Sequence, residues 1–485
     1  IFLGSSLEFL EASTTNVALP AMQRALAADA RAMQWVVNSY MLVLGALILV
    51  GGAVGDRFGR RLVFTLGVGL FAVASVACGL APNVPVLLAA RALQGLGAAL
   101  VIPVSLAIVT STAPPGRRGL IIGTWTAAAA IVTAAGRLLG GALVDAVSWR
   151  AVFLVAVPVA IASVILTRRY VPESRADVAA GPLDLRGALL AVAGFGSVTY
   201  GLIEGSPPAF VTGLVLLAGF LAVEAQAPAP MMPLGLFRSR TFTALNVLTF
   251  LLYGALGTAM FFLPFNLVQV QGYSATATGT ALLPATLVLA LLSRWAGRVR
   301  DRYGDRLPLV VGPLVSALGF AGFAWAGIGG SYWTTFFPPL VVLGLGVAVT
   351  DAPLTTAVMS AHGESRAGIA AGVNNAVTRL GSLIAVAVSS VQALAVFGPA
   401  LERRVAALPV PPEAARAVVA EATRLAGARV PDRVSHEQRA ALEQAIDEAF
   451  LEAFRWVMLL CAATAAGAGG AALCIGVRRE APPPS

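Results

Sequence analysis

The sequence predicts an all-α membrane protein with fourteen transmembrane helices, built from two similar halves. Three observations predict it. Of the 485 residues, 58% are hydrophobic and only 12% are charged, whereas soluble domains carry about 25% charged residues. Apolar runs of about twenty residues, the length that crosses a bilayer as a helix, occur fourteen times. A polar decapeptide between two such runs recurs once in each half.

The fourteen apolar runs fall into three groups along the chain. Polar loops that hold clusters of Arg follow the even-numbered runs, and the positive-inside rule assigns these loops to the cytoplasm. An even number of spans then places both termini in the cytoplasm and the protein in a bacterial inner membrane. The runs lie at about 1–22, 36–55, 62–81, 86–112, 119–144, 149–167, then 187–203 and 209–224, then 242–270, 276–296, 307–328, 333–355, 367–398 and 453–477.

This grouping predicts the domain organisation. Residues 1–167 form a bundle of six helices, and residues 168–241 form a linker that contains two extra transmembrane helices. Residues 242–485 form a second bundle of six. Within it, residues 400–452 alternate Ala with Arg and Glu between proline-containing breakers. They predict short amphipathic helices in an extracytoplasmic loop.

The inventory of charged and metal-binding residues excludes several kinds of site. All 33 cationic residues are Arg, so neither a Walker A lysine nor a Schiff-base lysine is present. The net charge of +9 lies in short loops and reflects topology rather than nucleic-acid binding. Three cysteines in apolar runs and two distant histidines predict neither a disulfide nor a metal site. We expect no cofactor and no catalytic residues.

The repeated decapeptide is the strongest functional signal. GAVGDRFGRR at 52–61 recurs 245 positions later as GRVRDRYGDR at 297–306. Gly52 and Gly59 allow tight turns and close approach of helices. Asp56 is placed to cap the third helix or a neighbouring helix. A loop repeated in both halves is typical of secondary transporters, whose two bundles move about a central site.

Several motifs resemble those of the major facilitator superfamily, and within it the fourteen-span drug:proton antiporters. LEASTTNVALP at 10–20 is similar to the signature of the first span, RALQGLGAA at 91–99 to that of the fourth, and AGRLLGG at 135–141 to that of the fifth. The resemblance implies the major facilitator fold, with two six-helix bundles and two extra central helices. The chain departs from the pattern at Arg137, where the antiporter motif has Pro, and at Glu11, where it has Asp.

The resemblance also implies a role for the repeated loop. In the superfamily this cluster holds the two halves together on the cytoplasmic side when the transporter opens outward. The predicted cytoplasmic latch consists of Gly52, Asp56, Arg57, Gly59, Arg61, Gly297, Asp301 and Arg302.

Acidic residues of the first span are the candidates for proton coupling. Glu11 lies about ten residues from the outer end of span 1, which is near mid-membrane at about 1.5 Å per residue. A charged group there is costly and marks a functional site. Glu8, one turn earlier, is predicted to share the cavity. Arg91 of span 4 lies within reach of the depth of Glu11, and the resemblance implicates it in proton transfer. A structural polar contact or a simple buried ion pair is the alternative.

Other polar residues within the apolar runs are candidates for the substrate cavity. Arg137 lies in the outer half of span 5 and Arg379 near the middle of span 13. They are expected to bind Glu8 or Glu11, to contact an anionic substrate, or to extend toward the interface. The asparagines either line the cavity or join helices. Asp351 is expected at the membrane interface. The predicted cavity set is Asn16, Asn38, Gln94, Arg137, Asn266, Asn374, Asn375 and Arg379.

These observations predict a monomeric proton-coupled transporter that exports amphipathic small molecules by alternating access. Its partners are a small-molecule substrate, protons and the lipid bilayer, without nucleic acid, and the proton gradient supplies the energy. One alternative is an exporter of one specific lipid or anionic metabolite. Another is a receptor or scaffold without transport activity, although a static scaffold needs neither a buried Glu11 nor a repeated loop.

Overall fold

The computed structural model describes residues 1–112, 118–175, 184–228, 230–361 and 367–475, and these residues form helices and short connections. The side chains at 110–128, 130, 293, 294, 301 and 367 lie outside this description. The helices are α1 (Phe2–Ala25), α2 (Ala30–Phe58), α3 (Arg60–Gly79), α4 (Val84–Thr112), α5 (Arg118–Ala146), α6 (Ala151–Leu154), α7 (Ala156–Tyr170), α8 (Leu185–Ile203), α9 (Pro207–Gln226), α10 (Arg240–Phe265), α11 (Ala275–Ala281), α12 (Leu283–Tyr303), α13 (Arg306–Phe323), α14 (Tyr332–Thr335), α15 (Phe337–Ser360), α16 (Ala367–Ala406), α17 (Pro412–Ala420) and α18 (His436–Ala472).

Twelve helical segments of the described chain are long and apolar enough to cross a membrane. They are α2, α3, α4, α6 with α7, α8, α9, α10, α11 with α12, α13, α14 with α15, α16 and α18. The protein is therefore a multi-pass membrane protein. Two of the fourteen predicted spans, α1 and α5, are 24 and 29 residues long but do not belong to this set. Glu8, Glu11 and several hydroxyl side chains lower the hydropathy of α1.

The two halves of the chain pack their helices in the same order. In the first half (residues 2–170), α1 packs on α5, and α4 packs on both α2 and α3. In the second half (residues 240–472), α10 packs on α16, and α15 packs on both α12 and α13. The halves meet where α2 contacts α16 and where α5 contacts α11. Helices α8 and α9 form a hairpin whose first helix lies against both α2 and α16.

Small residues explain the closest helix contacts. A Cβ atom at Gly51 of α2 would collide with the carbonyl group of Ala99 on α4. In the second half, a Cβ atom at Gly312 of α13 would lie 2.8 Å from the carbonyl oxygen of Gly346 on α15. Lipid tails are as apolar as the helix surfaces, so close packing of this kind is what holds membrane helices together.

The two copies of the decapeptide form the same turn on one face of the molecule. Gly59 ends α2 with φ of 114°, and Gly304, at the matching position of the repeat, ends α12 with φ of 76°. Only glycine adopts these angles without strain. We call the face that carries the turns at Gly59 and Gly304 the motif face. The opposite face, which carries the α1–α2 loop at residues 26–29, is the distal face.

Residues 400–452 contain less independent structure than predicted. Helix α16 continues to Ala406, and α18 begins at His436, well before residue 453. A capping box between Ser435 and Gln438 starts α18, since each side chain satisfies a backbone N–H group of the other's residue. Between these long helices lie only α17 and a short 3-10 turn at Ala422–Gly427.

Candidate functional site

Glu11 of α1 forms a buried ion pair with Arg91 of α4. Glu11 is 1% exposed and Arg91 is 2% exposed, and an Nη atom of Arg91 donates to the Glu11 carboxylate. Thr15, one turn further along α1, donates its hydroxyl to the same carboxylate at 2.6 Å. Both partners belong to the first half, so this pair joins helices within one bundle.

A polar cluster surrounds Arg91. Its Nε atom donates to the carbonyl oxygen of Val36 at 2.9 Å, and an Nη atom donates to Gln94 at 2.7 Å. Gln94 in turn donates to the Ser75 hydroxyl at 2.9 Å. The guanidinium carbon lies 4.4 Å from the centre of the Tyr40 ring, a cation–π distance. Gln94, predicted as a cavity residue, is fully buried in this cluster.

Glu8 of α1 pairs with Arg379 of α16, and this contact crosses between the halves. Its Oε1 atom lies 2.7 Å from an Nη atom of Arg379, and the two side chains are 3% and 17% exposed. The second carboxylate oxygen of Glu8 and the Nε atom of Arg379 are buried and have no hydrogen-bond partner in the described residues. The two acids of α1 therefore face different helices and different halves.

Arg137 of α5 also reaches across to the second half. An Nη atom donates to the carbonyl oxygen of Leu282 at 2.9 Å and to the hydroxyl of Thr286. The other Nη atom faces the sulfur of Met260 at 3.6 Å. In this structure Arg137 thus binds neutral acceptors rather than Glu8 or Glu11. Leu282 lies at the break between α11 and α12.

A cavity of about 160 Å³ lies between the halves. It is smaller than the roughly 300–1,000 Å³ typical of pockets for drug-sized ligands, so the halves must separate before such a molecule enters. Its walls come from α1, α5, α10 and α16 and from the break before α12. The lining residues are Glu8, Phe9, Ala12, Ser13, Asn16, Val17, Thr133, Arg137, Met260, Leu282 and Arg379.

The predicted asparagines lie in several different places. Asn16 lines the cavity. Asn38 and Asn266 are fully buried outside its lining, and Asn374 donates to Asn246 and Thr249 of α10 at 3.2 and 2.8 Å. Its role here is a contact between helices. Asn375, the next residue along α16, is exposed.

The described latch residues make their polar contacts close to their own copy of the motif. Asp56 accepts from Arg60 at 2.7 Å, one helical turn away, rather than capping α3. The cap comes from Glu173, which accepts the backbone N–H groups of Arg61 and Leu62 at 2.9 and 3.1 Å. The sequence analysis missed Glu173 because it lies more than a hundred residues away.

The remaining latch positions are at the surface or between helices. Gly52 lies against Pro103 of α4. The guanidinium carbon of Arg57 lies 5.7 Å from the centre of the Phe58 ring, and that of Arg302 lies 5.6 Å from the centre of the Tyr303 ring. A Cβ atom at Gly297 would meet open space. The side chain of Asp301 lies outside the described residues.

The halves are also joined at the distal face. Asp145, at the end of α5, accepts the backbone N–H groups of Ala275 and Thr276 at 3.1 and 2.7 Å. Gln269 donates to Gln23 at 2.8 Å, and Gln23 donates to the carbonyl oxygen of Arg424 at 3.2 Å. The polar contacts between the halves described above therefore lie at the distal face and at the level of the cavity.

One acid of the second half lies away from its expected place. Asp351 of α15 was predicted at the membrane interface, but it accepts the phenol hydroxyl of Tyr253 on α10. A tyrosine in the middle of an apolar run gives little local signal for this contact. Thr286 and Met260, the neutral partners of Arg137, were missed for the same reason.

Residues 1–386 match the family described as Major Facilitator Superfamily. The chain belongs to this superfamily. It is therefore a transporter rather than an enzyme, and the predicted resemblance is confirmed. The superfamily fold also accounts for the paired order of helix packing in the two halves.

Relatives within the superfamily carry names connected with drug resistance. The multidrug resistance protein Stp of Mycobacterium tuberculosis (strain ATCC 25618 / H37Rv) is 36% identical over 491 residues, which cover 96% of this chain and 88% of Stp. The tetracenomycin C resistance and export protein of Streptomyces glaucescens is 34% identical over 407 residues, which cover 81% and 74% of the two chains. The similarity to the drug-efflux branch of the superfamily thus extends over most of the chain.

Solved structures show the same fold. A bacterial homologue of the human lysosomal transporter Spinster, in an inward-facing and unoccupied conformation, has a TM-score of 0.70 with this chain. The superposition covers 98% of this chain and 96% of that one at 18% identity. At this identity the likeness concerns the fold alone.

Proposed function

We propose that this superfamily member exports amphipathic small molecules in exchange for protons by alternating access. In this proposal α1 and α5 complete fourteen spans, and both termini lie in the cytoplasm of a bacterium. Bundles at 1–167 and 242–485 flank the linker at 168–241, and a monomer is sufficient. The names of the relatives support a drug-like substrate. The Arg-rich motif face supports the orientation.

The observation that carries the proposal is that both α1 acids pair with arginines, Glu11 within the first half and Glu8 across the interface of the halves. An ionised carboxylate in this environment depends on its cationic partner. A proton that neutralises Glu8 removes the charge that holds Arg379, so proton binding weakens a contact between the halves. Glu11 lies one turn further along α1, pairs with Arg91 of α4 and is the second exchangeable carboxyl group.

The contacts at the distal face indicate which state of the cycle the structure represents. The halves are joined there by Asp145 and by the Gln23–Gln269 contact. The described latch residues of the first copy contact only the first half and the segment that follows it. In the proposed cycle this is an inward-facing state before substrate binds, with a cavity still too small for a drug-sized molecule. The latch residues would then join the halves only after the distal face opens.

Transport measurements in everted membrane vesicles test the proposal. Glu11→Gln and Glu8→Gln should each fold and insert but lose proton-driven efflux of a fluorescent amphipathic drug, because neither amide takes up a proton. Glu448→Gln, a change at the exposed distal end of α18, is the matched control and should transport at the wild-type rate. Full pH-gradient-driven efflux by well-expressed Glu11→Gln and Glu8→Gln variants would overturn the proposal.

A further inference from the structure

The cavity between the halves has an unusual balance of charge for a site expected to accept drugs. Two guanidinium groups, those of Arg137 and Arg379, line it together with a single carboxylate, Glu8. Glu8 and Arg379 compensate each other, which leaves the charge of Arg137 in excess. Among the described residues Arg137 meets a carbonyl, a hydroxyl and a thioether, none of which is negatively charged.

Both arginines keep hydrogen-bond donors that the described residues leave unpaired or pair only weakly. The Nε atom of Arg379 is buried without a partner in the described residues. One Nη atom of Arg137 faces only the sulfur of Met260 at 3.6 Å, and a thioether is a weak acceptor. A guanidinium group binds planar oxyanions through two parallel N–H donors. Unsatisfied donors of this kind in a cavity favour a ligand that carries an oxyanion.

The other lining residues describe the rest of the ligand. Phe9, Val17, Met260 and Leu282 present apolar surface beside the arginines. Asn16, Ser13 and Thr133 add neutral polar groups. Such a lining suits a flat apolar body that ends in a carboxylate or sulfonate.

We propose that the transporter selects amphipathic anions, and that the anionic group of the substrate takes Arg379 from Glu8. The inference rests on the proposed export function and names its substrate class. The Glu8 carboxylate then competes with the substrate for Arg379, since it lies 2.7 Å from the guanidinium group when substrate is absent. Arg137 supplies the second cationic contact from the opposite wall.

This arrangement also connects substrate to proton. A proton on Glu8 and an anion on Arg379 each break the same contact between the halves. Either ligand alone therefore releases this contact, whereas the empty transporter keeps the ion pair.

Equilibrium binding with a matched pair of probes tests the proposal. The full chain in lipid nanodiscs is titrated with 2-naphthoate and with its neutral isostere 2-naphthamide, without any pH gradient. We expect naphthoate to bind at least tenfold more tightly than naphthamide. Arg379→Gln should reduce naphthoate affinity by tenfold or more, and Arg379→Lys should restore part of it. Arg403→Gln, at the exposed distal end of the same helix, is the control and should bind as wild type.

The direction in which Glu8→Gln changes naphthoate affinity is the decisive result. Removal of the competing carboxylate should increase naphthoate affinity several-fold, and a misfolded variant cannot produce a gain. Equal affinity of the wild type for the two probes, or weaker naphthoate binding by Glu8→Gln, would overturn the proposed substrate class. Loss of proton-driven efflux is a separate outcome. A protein that discriminates the probes as expected but shows no proton-driven transport refutes the export function and keeps the anion site.

Discussion

The Glu11–Arg91 pair allows the most quantitative prediction. Arg91→Met removes a guanidinium group that contacts Glu11, Gln94 and the carbonyl of Val36. It leaves Glu11, which is 1% exposed, with the Thr15 hydroxyl as its hydrogen-bond donor. Loss of one partner of a buried ion pair costs about 3–5 kcal/mol. We expect Arg91→Met to lower the free energy of unfolding by that amount.

The double variant Arg91→Met with Glu11→Leu should be more stable than Arg91→Met alone. Both charges are then absent, and apolar side chains in place of a buried ion pair are often neutral or stabilising. The expected interaction energy between the two sites is about 3 kcal/mol, within the upper range for residues in direct contact. The double-mutant cycle consists of the wild type, the two single variants and the double variant. Reversible unfolding in mixed micelles, followed by tryptophan fluorescence, measures the free energy of unfolding of all four proteins.

Arg403→Met provides the surface control for this cycle. Arg403 is 63% exposed and pairs with Glu452 at 3.1 Å, and exposed pairs contribute at most about 1 kcal/mol. If Arg91→Met costs no more than Arg403→Met, the buried pair does not stabilise the bundle as argued. Strict additivity of the Arg91 and Glu11 effects would refute the reasoning equally.

Two further changes test the distal face. Asp145→Asn removes the negative charge that accepts two α11 N–H groups, and we expect a loss of about 1 kcal/mol of stabilisation of the closed distal face. Distances between paired spin labels across the distal face should then show an open population increased roughly fivefold. Unchanged distances would contradict the role of Asp145. Gly141→Val places a side chain against Ala275 across the interface and should prevent distal closure and abolish transport. Gly470→Val, where a Cβ atom meets open space, should transport normally, and equal activity of the two glycine variants would refute the packing argument.

Residue counting along a helix predicts depth but not direction. Because each residue adds about 1.5 Å, the sequence places Glu11 and Arg91 at the same level, and the structure brings them together. Glu8 is only three residues from Glu11, yet it faces α16 instead of α4. The rotation of α1 that separates the two acids depends on the packing of all its neighbours, which the local pattern does not contain.

Arg137 and Asp351 show a second limit of the sequence pattern. The sequence analysis gave Arg137 a charged partner, an anionic substrate or the membrane interface, and it gave Asp351 the membrane interface. Arg137 instead uses a backbone carbonyl at the break between α11 and α12, and Asp351 uses Tyr253. Pro284, which follows the break, is a sequence signal for an interrupted helix. No comparable signal indicates which distant side chain reaches the carbonyl of Leu282.

The two cavity arginines connect the halves reciprocally. Helices α5 and α16 hold equivalent positions, since α5 packs on α1 as α16 packs on α10. Arg137 extends from α5 to acceptors in the second half, and Arg379 extends from α16 to Glu8 in the first. The first contact uses neutral acceptors and the second is an ion pair, so protonation of a carboxylate affects only the second. With the proposed coupling, a proton or an anion therefore breaks one of the two contacts and leaves the other, and the halves stay joined through Arg137 while the Glu8 side of the cavity opens.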